Sequence, residues 1–291
     1  MVRFLSVLLP LLLIVQHVHA DVLFEGYSKI LSGDQQIGYV VTRFEFDAKK
    51  KQFTSAYFTK TVSNGIDITE SLKAYADSEL TPISYEYTSV TGKETKTIDA
   101  KFKKDMMIAT VNNGGKIQKI DKKIPKGTFL SSFLVYLMLK SKEGLKSDTK
   151  YEYQAIAEED GMITKGQALV GKEETFNGHK AFKILNTFKD MKFLSYVNDR
   201  GEALGTVALG QNISTELVAS AAEATKGFSA SPTLMKAIFG VVPEGKDNVI
   251  ARSAKLQENQ NKAPVGKQYG VPAGQGIMVK PSGDKPQGTG Q

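Results

Sequence analysis

Residues 129–139 read FLSSFLVYLML, and nine of these eleven are apolar. A surface helix would keep a polar stripe and a strand is usually shorter, so the run predicts a helix over 129–140, buried on most sides. Ahead of it, Ile124-Pro125-Lys126-Gly127-Thr128 supplies a break and, in Thr128, a hydroxyl for the N-cap. Lys140 and Lys142 place cations where the helix dipole is negative. No other stretch beyond residue 20 carries comparable apolar surface, so the remaining chain is expected to fold against this one.

Outward from that segment the periodicity changes to that of strands. Residues 22–31 and 36–46 flank Ser32-Gly33-Asp34-Gln35, a turn composition, and read as an opening hairpin. In the second run Val40, Thr42, Phe44 and Phe46 share one face, while Ile37, Tyr39 and Val41 share the other, so this end is expected to be covered on two sides. Ser63-Asn64-Gly65 suits a tight turn, after which Ile66, Ile68, Leu72 and Ala74 alternate with Asp67, Thr69, Ser71 and Lys73, broken only by Glu70. Past the apolar segment, further short runs are joined by Asp160-Gly161, Asn177-Gly178 and Asn198-Asp199-Arg200-Gly201. The expectation is a mainly β fold: a large curved antiparallel sheet of about twelve strands packed on one apolar helix, with two short C-terminal helices.

Those helices are expected at 214–225, which is rich in Ala and followed by Gly227, and at 231–239, with Ser231 as N-cap, Pro232 at the first position and Gly240 past the end. Leu234, Ile238 and Phe239 are expected to dock the second one. From Lys255 the chain turns to Gln, Asn, Lys, Gly and Pro, the composition of a disordered tail. The domain scheme is therefore a signal peptide at 1–20, a β domain at 21–227 holding the 129–140 helix, a short helix and connector at 228–254, and a tail at 255–291.

The leader has Arg3, an apolar stretch interrupted by Pro10, and Val18-His19-Ala20 before the expected cleavage point. Its length is that of a cleaved export signal rather than of a membrane span, so no transmembrane anchor is expected after cleavage. With no Cys anywhere in the chain, a bacterial periplasmic or secreted location is expected, since exported eukaryotic domains of this size usually carry disulfides. The basic surplus is local: between Lys93 and Lys126 there are ten Lys against four acids, 10 − 4 = +6. Lys101, Lys103, Lys122 and Lys123 are the candidate patch for an anionic surface such as lipid headgroups or cell-wall carboxylates. Aromatic residues are not interleaved with these Lys beyond Phe102, and nucleic acid is not expected as a partner.

The chemistry is bounded by what is missing. The histidines are His17, His19 and His179, and the first two belong to the leader, so Cys-His and multi-His zinc sites are excluded and any Ser-His-acid triad would have to use His179. His179 stands beside the turn Asn177-Gly178. No phosphate-binding Gly loop, GxSxG elbow or HExxH helix is present, and no cofactor or metal is expected. Carboxylates near Glu158 and Glu173 supply the alternative reading, a cell-wall or glycan hydrolase.

Four phrases carry a resemblance: Gln36-Ile37-Gly38-Tyr39, Leu80-Thr81-Pro82-Ile83-Ser84-Tyr85-Glu86-Tyr87, the LKSDTKYEY of residues 145–153, and Tyr196-Val197-Asn198-Asp199-Arg200-Gly201-Glu202. Together they resemble an uncharacterised family of bacterial exported β-sheet domains, similar in pattern to the N-terminal domain that precedes transglutaminase-like catalytic domains. The catalytic part would need Cys, which this chain lacks, so the resemblance implies an accessory or carrier-like β domain and no catalytic residues. A concave sheet closed by an apolar helix, as in periplasmic lipoprotein carriers by analogy, is expected to hold a hydrophobic or polymeric ligand. Phe133, Tyr136, Leu137 and Met138 are the candidate contacts. Lipid, lipoprotein, cell-wall polymer or a protein partner are the expected associates.

Overall fold

The computed structural model describes residues 20–63 and 65–262. The expected signal peptide lies outside them except for Ala20, as does the tail beyond residue 262. Eight strands precede the central segment: β1 (Asp21–Ser32), β2 (Gln35–Asp47), β3 (Gln52–Ser63), β4 (Ile66–Asp77), β5 (Pro82–Thr91), β6 (Glu94–Lys103), β7 (Met106–Asn113) and β8 (Lys116–Lys123). The segment itself is β9 (Phe129–Leu130), a 3-10 turn (Ser131–Phe133) and α1 (Leu134–Lys140). Six more strands follow: β10 (Lys150–Ala157), β11 (Met162–Phe176), β12 (His179–Phe188), β13 (Met191–Val197), β14 (Ala203–Ala208) and β15 (Ile213–Val218). The described chain ends with α2 (Ala221–Ala224), α3 (Pro232–Phe239) and α4 (Val249–Lys262).

All 15 strands belong to one sheet, ordered β8-β7-β6-β5-β4-β3-β2-β1-β15-β14-β13-β12-β11-β10-β9. Two antiparallel meanders are thus joined where β1 meets β15, with Tyr27 opposite Val218 and Ile30 opposite Thr215. Among the described residues the one parallel pair is β9 with β10. Short turns dictate this order, because a strand reversed within two to five residues has its predecessor as the nearest ladder partner. Gly38 shows how closely the strands approach: a Cβ there would lie 2.1 Å from the Lys60 carbonyl oxygen on β3, so only glycine fits.

A mainly β chain in one large sheet is what the alternation predicted, and several details are corrected. The sheet has 15 strands rather than about twelve, and β9 and β15 fall where helix was expected. Helix propensity in 214–225 survives only as the single turn of α2, because the inward Thr215 and Leu217 and the ladder to β1 claim the first half. At the central segment Phe129 and Leu130 are extended and helix proper starts at Leu134; the Thr128 hydroxyl caps nothing and has no partner. In α3 the expected Ser231 cap and the left-handed Gly240 are present, but Met235, Ile238 and Phe239 form the buried stripe while Leu234 stays exposed. The segment 255–262, expected within a tail, is part of α4. Its first turn is held by tertiary anchors: Asn248 Oδ1 accepts from the Ala251 amide at 2.9 Å and Glu202 accepts from the Val249 amide at 2.8 Å.

The main core gathers on the inner face around the central segment. Phe53, Leu72, Tyr85, Tyr87, Ile98 and Met107 from β3–β7 form one cluster with Phe129, Leu130, Phe133 and Tyr136, and Ala155, Ile156 and Phe188 join it from the other meander. Each large side chain buried this way stabilises by roughly 1.5–3 kcal/mol. The sheet bends to bring these arms together: at the β10–β11 turn the Glu159 carbonyl accepts from Lys96 Nζ of β6 at 2.7 Å, and Gly161 sits against the Tyr85 hydroxyl.

On the outer face a second cluster of Tyr27, Tyr39, Val41 and Phe58 is covered by α2 and α3 through Ala224, Met235, Ile238 and Phe239. The two-sided apolar pattern at the start of the 36–46 run anticipated this cover. Buried Glu25 fastens the connection to α4, accepting from the amides of Glu244 and Gly245 at 2.7 and 2.6 Å and from Arg43 Nη1 at 2.7 Å.

Candidate functional site

A cavity of about 270 Å³, neither sealed nor a flat patch, lies between α1 and the inward faces of β1, β2 and β12–β15. The helix contributes Leu134, Val135 and Met138, and Ser132 comes from the turn before it. Phe24, Val40 and Phe44 form one apolar wall, and Ile184 and Val197 another. Between them stand Ser28, Thr42, Asn186, Ser195, Thr206 and Thr215, short side chains on strand positions that point inward. Among the described residues no charged side chain lines the space. Its polar groups are hydroxyls and one amide, which can donate to and accept from a ligand without forming an ion pair.

Local structure fixes the walls. Tyr153 of β10 donates its hydroxyl to Asn186 Oδ1 at 2.6 Å, which leaves the amide nitrogen as that side chain's donor. Ser195 and Thr206 face each other across β13 and β14 with their hydroxyl oxygens 3.3 Å apart. At the β13–β14 turn Gly201 has φ +82°, and a Cβ would approach Leu139 Cδ1 to 2.6 Å, so glycine lets this turn close on the helix. Phe44 belongs to both environments: it lines the cavity and packs on Tyr136 with ring centroids 5.0 Å apart.

Of the four predicted ligand contacts, the structure places only Met138 at the cavity. Phe133 and Tyr136 point to the opposite flank of α1, into the aromatic core with Phe53, and Leu137 packs at the margin of that same core. A helix rotates about 100° per residue, so a run apolar all round cannot declare from sequence which stripe meets a void. Leu134, Val135 and the small strand residues were missed. The signal lay in single polar residues interrupting an apolar face: Thr42 between Val40 and Phe44, Asn186 between Ile184 and Phe188, Ser195 between Phe193 and Val197.

The carboxylates of the hydrolase reading are engaged elsewhere. Glu158 is 3 % exposed at the end of β10, where it accepts from Ser131 Oγ at 2.5 Å and from the Ser132 amide at 3.1 Å. It thereby satisfies one free amide, that of Ser132, in the 3-10 turn that leads into α1. Burial raises its carboxyl above the ordinary range, and the hydrogen bonds from Ser131 and Ser132 oppose that rise. Glu173 is surface-exposed on β11, 3.2 Å from Lys180. The two carboxylates share no partner, and neither lines the cavity. His179, at the start of β12 opposite Phe176, is also outside it.

The predicted basic patch divides between two faces. Lys101 pairs with Ile108 and Lys103 with Met106, which in turn stands opposite Lys123, so these three Lys project outward. Lys122 stands opposite the buried Met107 and therefore projects toward the inner side. Lys123 is partnered by Asp105 at 3.2 Å, whereas Lys101 and Lys103 have no anionic partner among the described residues. Among the described residues no helix is long and apolar enough to cross a membrane. Comparison with family models, with curated proteins and with solved structures finds no match to this chain.

Proposed function

We propose that this chain is a non-enzymatic binding protein of the bacterial envelope, a carrier or accessory domain. Its ligand is an uncharged, largely apolar molecule or chain segment held between α1 and β1, β2 and β12–β15. Lipid, the acyl part of a lipoprotein, or an apolar segment of a protein or polymer partner fits that description. Support comes from one observation, the 270 Å³ cavity with apolar walls, scattered hydroxyls and no charge. A cavity of roughly 150 Å³ accommodates a benzene ring, so this one matches a segment of roughly ten heavy atoms.

Native mass spectrometry of protein extracted gently from its source tests the reading. The expected spectrum shows a bound species lost on denaturation. In Thr206→Phe, whose added ring takes up about half the space, that species is absent while the chain remains folded by circular dichroism. Wild-type protein that is empty from every extraction, or a variant that retains the same adduct, refutes the proposal.

A further inference from the structure

A second recess, of about 640 Å³, lies at the rim of the sheet, away from the cavity beside α1. It is bounded by the β6–β7 turn, with Lys104 and Asp105, by Thr81 of the β4–β5 turn, and by the connection from Lys123 through Thr128. These pieces are pinned together. The Ile124 amide donates to the Asp105 carbonyl at 2.7 Å, Thr128 donates its amide to the Pro125 carbonyl at 3.2 Å, and Thr81 is held by the Asp77 carboxylate at 2.8 Å.

The charge of the recess is one-sided. Lys104, Lys123 and Lys126 line it against one acid, Asp105, which is engaged by Lys123. Lys104 and Lys126 have no anionic partner among the described residues. Thr128, 5 % exposed, lines the recess and carries a buried hydroxyl with no hydrogen-bond partner. A buried hydroxyl left unpaired is costly, and one on a residue that lines the same recess as unneutralised lysines is explained if an oxygen-rich anion completes the set. A tetrahedral oxyanion offers several acceptor oxygens to three ammonium groups and a hydroxyl, more than the two of a carboxylate.

We propose that the recess framed by Lys104, Lys123 and Lys126 over Thr128 binds a phosphate group, either free phosphate or the phosphate monoester headgroup of a lipid. The site is independent of the neutral cavity and stands if that reading fails.

Titration of the full chain with inorganic phosphate and, separately, with dihexanoyl phosphatidate below its micellar concentration tests the proposal, read from the Gly127 and Thr128 amide signals by NMR. Saturable shifts are expected. The double variant Lys104→Gln/Lys126→Gln weakens binding by about tenfold, the effect of losing two exposed charge contacts. Asp105→Asn strengthens it, because the opposing charge is gone. Tighter binding of the phosphatidate than of phosphate identifies a lipid headgroup as the source, and equal affinity identifies free phosphate. Amides that respond to neither compound, or a double variant that titrates like wild type, overturn the proposal.

Discussion

On one flank of α1, Phe133 and Tyr136 meet Phe44 and Phe53 ring to ring, with centroids 5.0–6.5 Å apart. On the other flank Leu134, Val135 and Met138 look across 270 Å³ toward Ser195, Thr206 and Thr215. The same helix and the same sheet make both environments, so the difference resides in the inward side chains of the strands. Where β3–β7 present Phe, Leu, Tyr, Ile and Met, the helix is gripped; where β1, β2 and β12–β15 present Ser, Thr and Asn among apolar neighbours, space remains. The volume is written into the sequence as a choice of small polar residues on inward positions, and the tight flank supplies the stability that tolerates it.

Truncating a side chain on each flank breaks or confirms this contrast most directly. Phe133→Ala on the gripped flank is expected to cost about 3–5 kcal/mol, since the residue is fully buried and its ring contacts leave a void. Leu134→Ala, half-buried at the cavity edge where it also packs on the two adjoining core clusters, is expected to cost less, about 1–2 kcal/mol, mostly lost transfer free energy. Urea midpoints at unchanged slope measure both. Equal losses at the two positions would mean that the flanks are packed alike.

Filling the void is the converse experiment, with a smaller effect. Thr206→Ile adds apolar volume on the open flank and is expected to raise stability by about 1 kcal/mol in the ligand-free chain, while lowering ligand occupancy. A loss of stability would place the Thr206 side chain in a crowded site, against the geometry described above.

The sequence disclosed the two flanks unequally. Turn residues such as Gly33, Gly161 and Gly178, each with positive φ, marked hairpins that the structure contains, and the 129–139 run did identify the element at the centre of the core. The open flank stayed hidden because Ser or Thr on a strand reads as solvent-facing by default, and only the identity of its neighbours two positions away reveals an inward direction. Strand β15 stayed hidden for a different reason. Its Ala-rich neighbourhood favours helix locally, and pairing with β1, nearly two hundred residues earlier, overrides that preference. The recess at the rim of the sheet draws its lysines from two separate connections, an adjacency that only the fold creates.

The least disruptive test concerns Glu158, which holds the start of the segment that both flanks share. Burial raises its folded-state carboxyl above the ordinary 4.5, whereas in the unfolded chain it titrates near that value. Between those two values the native state binds more protons than the unfolded one, so stability falls as pH rises. The contribution is fully present below the unfolded value and lost once pH passes the folded one. Glu158→Gln keeps an acceptor oxygen for the Ser132 amide, reverses the Ser131 contact so that the side-chain amide donates to Ser131 Oγ, and does not titrate. The difference in melting temperature, wild type minus variant, is therefore expected to be most positive below about pH 4.5 and to decline as pH rises from there toward the raised folded-state value. A difference that rises with pH would show that the capped helix start stabilises the carboxylate more than burial penalises it. The grip on α1 would then begin with a charge rather than with a neutral hydrogen-bonded acid.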